Sequence, residues 1–143
     1  MRVMALDYGD ARTGVAISDE RGVLCGETLV INEWDAQALA QRVAQLAQER
    51  GVGLILLGLP LNMDGSEGPR AGKCREFAAL LSGAGVPEVL MRDERRTSVE
   101  AHAILRANGK REKKHRRSVD AVAAQLILET YLGSADNARR QQG

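Results

Sequence analysis

The chain has 143 residues, 44% of them hydrophobic and 27% charged, the makeup of one globular domain long enough to bury a core. No apolar stretch approaches the ~20 residues that span a bilayer, and the opening run, which ends in Asp7, does not read as a secretory leader. The net charge of +1 conceals an asymmetry, because segment 106–117 carries seven Lys/Arg and one Glu, a local +6 that leaves −5 for the rest.

Residues 2–8 read as a strand, Gly9-Asp10 as a turn and 14–18 as the hairpin partner. A second turn at 19–22 leads to a third strand over 23–31. From Asp35 the period changes: Ala36, Leu39, Ala40, Val43, Leu46 and Ala47 mark one helix face, with Asp35 as N-cap and Gly51 as stop. The continuous apolar run 54–59 predicts a strand covered on both faces. After a loop over 60–69 come a helix at 70–81 and a strand at 88–92. Thr97-Ser98-Val99-Glu100 matches a capping box and opens a helix that stops at Asn108-Gly109. The last helix is predicted over 118–132, with a polar, frayed tail over 134–143.

Three consecutive strands make a meander, and the later strand–helix units require crossovers and parallel pairing. The expected fold class is therefore α/β, a ribonuclease-H-like five-stranded mixed sheet with helices on both faces and the first strand central. A single domain over 1–133 accounts for the pattern. Cys25 and Cys74 are isolated, without the CxxC spacing of a zinc site or a disulfide framework, and suit a reducing cytoplasm.

Three carboxylates stand at the ends of apolar elements. A carboxylate taken from water is costly unless it is paired or bound to a metal. Asp7 ends the first strand on the face shared by Val3 and Ala5; read alone it serves equally well as a turn residue. Glu94 follows the 89–93 run. Because side chains alternate along a strand, only one of Asp93 and Glu94 faces a common site; Glu94 is preferred, Asp93 held in reserve, and Glu100 is occupied by its capping box. Asp120 falls in the predicted first turn of the last helix, where it would also favour the helix dipole. At 100° per residue it flanks the apolar face, almost in line with Ile127.

Together these acids suit a Mg²⁺ or Mn²⁺ site for phosphodiester hydrolysis, since both ions prefer oxygen ligands. His102 and His115 lie outside the motifs, and Ser18, Thr97 and Ser118 read as turn or cap residues. Arg95 and Arg96 can hold substrate phosphates or pair with the acids. Lys110, Arg111, Lys113, Lys114, Arg116 and Arg117 lead directly into the Asp120 helix, so a nucleic-acid backbone contact is expected there in preference to a solvated loop.

Four segments carry a resemblance. Residues 7–19 (Asp7-Tyr8-Gly9-Asp10-Ala11-Arg12-Thr13-Gly14 and onward), 58–68 (Gly58-Leu59-Pro60-Leu61-Asn62-Met63-Asp64-Gly65), 93–101 and 118–124 resemble, in order, the motifs of the YqgF (RuvX) family. The match spans nearly the whole chain. It implies a ribonuclease-H-type nuclease maturing the 5′ end of 16S ribosomal RNA precursors, with a Holliday-junction resolvase as the alternative. It also implies Asp7, Glu94 and Asp120 as metal-binding acids, with Arg12 and Asn62 near the site. Arg96 replaces a residue more often apolar in the family, and Ser98 one that is commonly Thr.

The implied partners are nucleic acid, precursor rRNA ahead of branched DNA, and the small ribosomal subunit. No membrane is expected, and the chain is expected as a monomer or weak homodimer. The Asp-Tyr-Gly start also resembles the first phosphate loop of actin-like ATPases, but the chain is too short for a second loop and a nucleotide-binding half. A non-catalytic nucleic-acid-binding regulator is disfavoured, because three acids without metal would repel phosphate.

Overall fold

The computed structural model describes residues 1–94 and 112–142, and for 112–118 the backbone alone. The helix expected after Thr97, with its stop at Asn108-Gly109, lies outside the described residues. In chain order the elements are β1 (Arg2–Asp7), β2 (Arg12–Ser18), β3 (Cys25–Asn32), α1 (Ala36–Arg50), β4 (Val52–Leu59), α2 (Pro69–Gly83), β5 (Val89–Asp93), α3 (Glu112–Leu132) and α4 (Ala135–Gln142).

The sheet runs β3-β2-β1-β4-β5. Pairing of β1 with β2 and of β2 with β3 is antiparallel, while β1–β4 and β4–β5 are parallel. This is the ribonuclease-H-like arrangement, with the first strand at the centre. Val3, Met4, Ala5 and Leu6 have no exposed surface, and neither do Leu54 to Leu57. Strands covered on both faces need such unbroken apolar runs, which is why both were readable in the sequence.

Alternation along the strands divides the core in two. Met4, Leu6, Ile55 and Leu57 pack with Leu39, Val43, Cys74, Phe77 and Leu81 of α1 and α2. Val3, Ala5, Leu54 and Leu56 pack with Ala124, Ile127, Leu128 and Tyr131 of α3. Asp7 and Glu94 continue the second face by parity, so both lead toward α3.

The expected caps of α1 are present. Asp35 Oδ1 accepts from the Gln37 amide at 3.2 Å, and Gly51 closes the helix at φ 66°, a conformation that favours glycine. Pro69 opens α2 at its first position, where a missing amide proton costs nothing.

Several boundaries differ from expectation, most by a residue or two, and three of the differences have a cause or a consequence in the structure. β1 ends at Asp7 because Tyr8 turns out of the strand to stack on Phe77, ring centroids 4.3 Å apart. β3 begins at Cys25, since the Asp19 carboxylate accepts from the amides of Val23 and Leu24 (2.8 and 3.1 Å) and extends the turn. The last helix starts at Glu112, not at 118, so Ser118 does not open it and Asp120 lies beyond its first two turns. The dipole reading of Asp120 fails with that start, because the dipole acts within the terminal turn.

The tail expected to fray is helical instead. Asn137 is buried and its amide donates to the carbonyls of Gly22 (2.9 Å) and Leu132 (3.1 Å). Arg140 forms paired 3.0 Å bonds to Glu88. Among the described residues no helix is long and apolar enough to cross a membrane.

Candidate active site

The carboxyl ends of β1, β4 and β5 lie side by side at one edge of the sheet. Leu6 pairs with Leu57, and Leu59 with Asp93. The Glu94 amide donates to the Leu59 carbonyl at 3.1 Å, which fixes the backbone one residue past β5. Glu94 is 8% exposed. Asp93, one step along the strand, is exposed, as the alternation argument for Glu94 requires.

Asp7 and Glu94 meet beside Gly58, close enough that each carboxyl shifts the titration of the other. Burial raises Asp7 to about 6; the neighbouring Glu94 carboxyl and the Arg70 charge oppose the rise, and Asp120 adds to it. Burial, then the Asp7 charge, raises Glu94 to about 8. Glu94 Oε2 is buried, and no donor among the described residues reaches it.

Gly58 makes the meeting possible. A Cβ there would overlap Glu94 Oε2 and lie 2.8 Å from Ile127 Cδ1. Gly14 does the same for the helix: it pairs with Asp7 across the sheet, and a Cβ there would overlap the backbone carbonyl of Asp120. With fully covered Ala124 beneath it, α3 rests directly on the β2 backbone beside Asp7. Glycine inside a strand marks such an approach.

Asp120 is half-buried. Burial raises its pKa, and Arg12, whose Nε lies 3.7 Å from Oδ2, lowers it. Its charge reaches Asp7. Two of the three expected acids are therefore in contact, and the third stands beside them paired to the expected arginine. Among the described residues no three His, Cys, Asp or Glu side chains converge closely enough to hold a metal. The donor chemistry nonetheless fits a hard cation. A buried, undonated carboxylate oxygen beside a second carboxyl offers a Mg²⁺ or Mn²⁺ ion the oxygen ligands it prefers.

Asn62 holds its own loop. Its Nδ2 donates to Ser66 Oγ at 2.9 Å, and its backbone bonds Ser66 and Gly65. Arg95, Arg96, Lys110 and Arg111 lie outside the described residues. Lys113, Lys114, Arg116 and Arg117 sit on the first two turns of α3, so half of the expected basic loop is helix.

Arg70 was missed by the sequence reading. It donates to Asp10 Oδ1 at 2.7 Å and to the Tyr8 carbonyl, with its Cζ 4.9 Å above the Tyr8 ring. The turn following Asp7 is thereby clamped to α2. The signal available was an arginine directly after the Gly68-Pro69 helix start.

The chain is similar to several known proteins. The chain is 40% identical over 144 residues to a protein of Pelotomaculum thermopropionicum named "Putative pre-16S rRNA nuclease", covering 100% of this chain and 94% of the relative. A Chloroflexus aurantiacus protein of the same name is 42% identical over 130 residues, 91% of this chain and 85% of the relative. Among solved structures, Thermus thermophilus RuvC in complex with a Holliday junction substrate superposes with a TM-score of 0.58 at 15% identity, covering 94% of this chain and 98% of that one. The Fowlpox virus resolvase bound to Holliday junction DNA gives 0.57 at 12% identity, covering 92% and 97%. At such identities the likeness is one of fold. The sequence model of RuvX, described as a Holliday junction resolvase, matches residues 1–134, and the chain belongs to the RuvX family.

Proposed function

We propose that this protein is a divalent-metal-dependent nuclease that hydrolyses phosphodiester bonds, with Asp7, Glu94 and Asp120 holding Mg²⁺ or Mn²⁺. The observation that carries this reading is the buried Glu94 Oε2 without a donor, beside Asp7, at the meeting of three strand ends. A structural role would leave that oxygen hydrogen-bonded, since buried polar groups nearly always are. When bound, the metal supplies Lewis-acid polarisation of the phosphate and lowers the pKa of its water.

The chain's own residues do the rest. Asp7 and Glu94, both raised in pKa, release protons when a cation binds them, so binding is favoured as pH rises. Arg12 holds Asp120 at the rim with charge to spare for a phosphate oxygen. Arg70 and the Tyr8–Phe77 stack keep the turn after Asp7 in place. The basic start of α3 points to backbone contacts, as expected for a ligand recognised first by charge.

The names of the relatives support precursor 16S rRNA as substrate; a cut at its 5′ end, in cytoplasmic ribosome biogenesis, is the finer reading we attach to it from the motif resemblance. The family description favours a second reading, resolution of branched DNA. Purified protein is to be tested with Mg²⁺ or Mn²⁺ on a precursor 16S 5′ fragment beside a four-way DNA junction. The expected result is cleavage of the RNA and none by Glu94→Gln. Cleavage of the junction alone would select the second reading. Metal-independent binding with no cut in either substrate would replace both with a regulator.

A further inference from the structure

Arg70 and Lys73 lie three residues apart in the first two turns of α2 and converge on one oxygen. Asp10 Oδ1 is 2.7 Å from Arg70 Nη1 and 3.7 Å from Lys73 Nζ. Asp10 is not held there by burial, since its side chain is 60% exposed. The guanidinium, by contrast, is fixed before any ligand arrives. It donates to the Tyr8 carbonyl and lies over the Tyr8 ring, which is itself stacked parallel on Phe77. A planar fork immobilised by packing loses little freedom when it binds a second anion.

The charges also sit next to the acids. Arg70 acts on both Asp7 and Glu94, opposing the burial that raises them. A phosphodiester presents two oxygens and one negative charge, the same shape and charge to which the Asp10 carboxylate responds. Exposed ion pairs are weak, so the carboxylate can be exchanged for a phosphate at little cost.

We propose that Arg70 and Lys73 form a phosphate-binding subsite for the nucleic-acid backbone beside the acid pair, and that the Asp10 carboxylate fills it in the free protein. The ligand class rests on the nuclease reading; the convergence of charges does not. The strand would cross the carboxyl edge of the sheet beside α2. Asp10 then acts as a competitor that discourages lone anions and yields to a polyanion held at several points.

The test is equilibrium binding of a fluorescent single-stranded RNA to the full chain in EDTA, where nothing is cut, over a salt series starting low. Lys73→Gln and Arg70→Gln are each expected to weaken binding severalfold and to reduce the log–log salt slope by ~0.7, the value of one lost contact to a single strand. Asp10→Asn is expected to bind more tightly than wild type. Arg70→Gln also loosens Tyr8, so Lys73→Gln, which leaves that clamp intact, decides the matter. Wild-type affinity and slope in Lys73→Gln, or weaker binding by Asp10→Asn, overturns the subsite while leaving the nuclease reading. Failure of wild type to bind at low salt also overturns the subsite, while the nuclease reading is decided separately by cleavage with Mg²⁺ or Mn²⁺.

Discussion

The burial of Asp7 and Glu94 side by side makes the stability of the folded chain depend on pH with a definite sign. Both groups titrate above the ordinary carboxyl range, at about 6 and about 8. Between about pH 4 and 8 the folded chain therefore holds protons that the unfolded chain has already released. The stability from these groups is full below the unfolded values and is lost as pH rises through the folded ones. In EDTA the melting temperature is expected to fall across that window, and Glu94→Gln, which cannot ionise, to show a flatter profile. A wild-type profile as flat as the mutant's would mean that the two carboxyls do not titrate above the ordinary range. Gly58→Ala probes the same contact. Its methyl would force Glu94 and Ile127 apart, for a loss of ~1–3 kcal/mol in urea unfolding and a larger loss of cleavage. Gly14→Ala should cost more, because the obstacle is the backbone of α3, which cannot rotate away.

At the level of elements, α3 does two jobs that a helix starting at 118 could not. Its later turns bury Ala124, Ile127, Leu128 and Tyr131 against the sheet, while its added first turns carry Lys113, Lys114, Arg116 and Arg117 on the helix that holds Asp120. Replacing Lys113 and Lys114 with Ala is expected to weaken different nucleic-acid sequences about equally and to flatten the salt dependence. An unchanged slope would return the run to a solvated surface. α4 is secured by hydrogen bonds and ion pairs. Asn137→Ala removes the donor to two backbone carbonyls, and a loss of ~1–3 kcal/mol is expected by denaturant titration. Truncation before 134 should destabilise further, since it also frees Glu88, Gly22 and the amino terminus from their partners.

Across the whole molecule, the chain gathers distant acids at one edge of a sheet whose centre has no exposed surface. Such an arrangement is self-repelling without a counter-charge. Mg²⁺ or Mn²⁺ at pH 8 is expected to raise the melting temperature of wild type by mass action, and to leave Asp7→Asn and Glu94→Gln unmoved. Chelation should abolish cleavage and leave the fold intact. The sheet itself was legible from residue order alone. Central strands buried on both faces require unbroken apolar runs, and the helix period of 36–47 was bounded by a capping aspartate and a stopping glycine. Alternation along β5 likewise required that only one of Asp93 and Glu94 face the common edge, because alternation is a local property of an extended chain; burial of Glu94 and exposure of Asp93 separate the two. What local pattern could not supply is what distant contacts decide. Tyr8 leaves β1 because Phe77 and Arg70 lie across from it. The tail is helical because Gly22 and Glu88 receive Asn137 and Arg140. Asp10 is bound by a helix 60 residues away. Asp7, Glu94 and Asp120 were singled out by their place at the ends of apolar elements; the raised titration of Asp7 and Glu94, Asp120's pairing with Arg12 and the clamp of Arg70 follow from burial and proximity, which exist only once the chain has closed on itself.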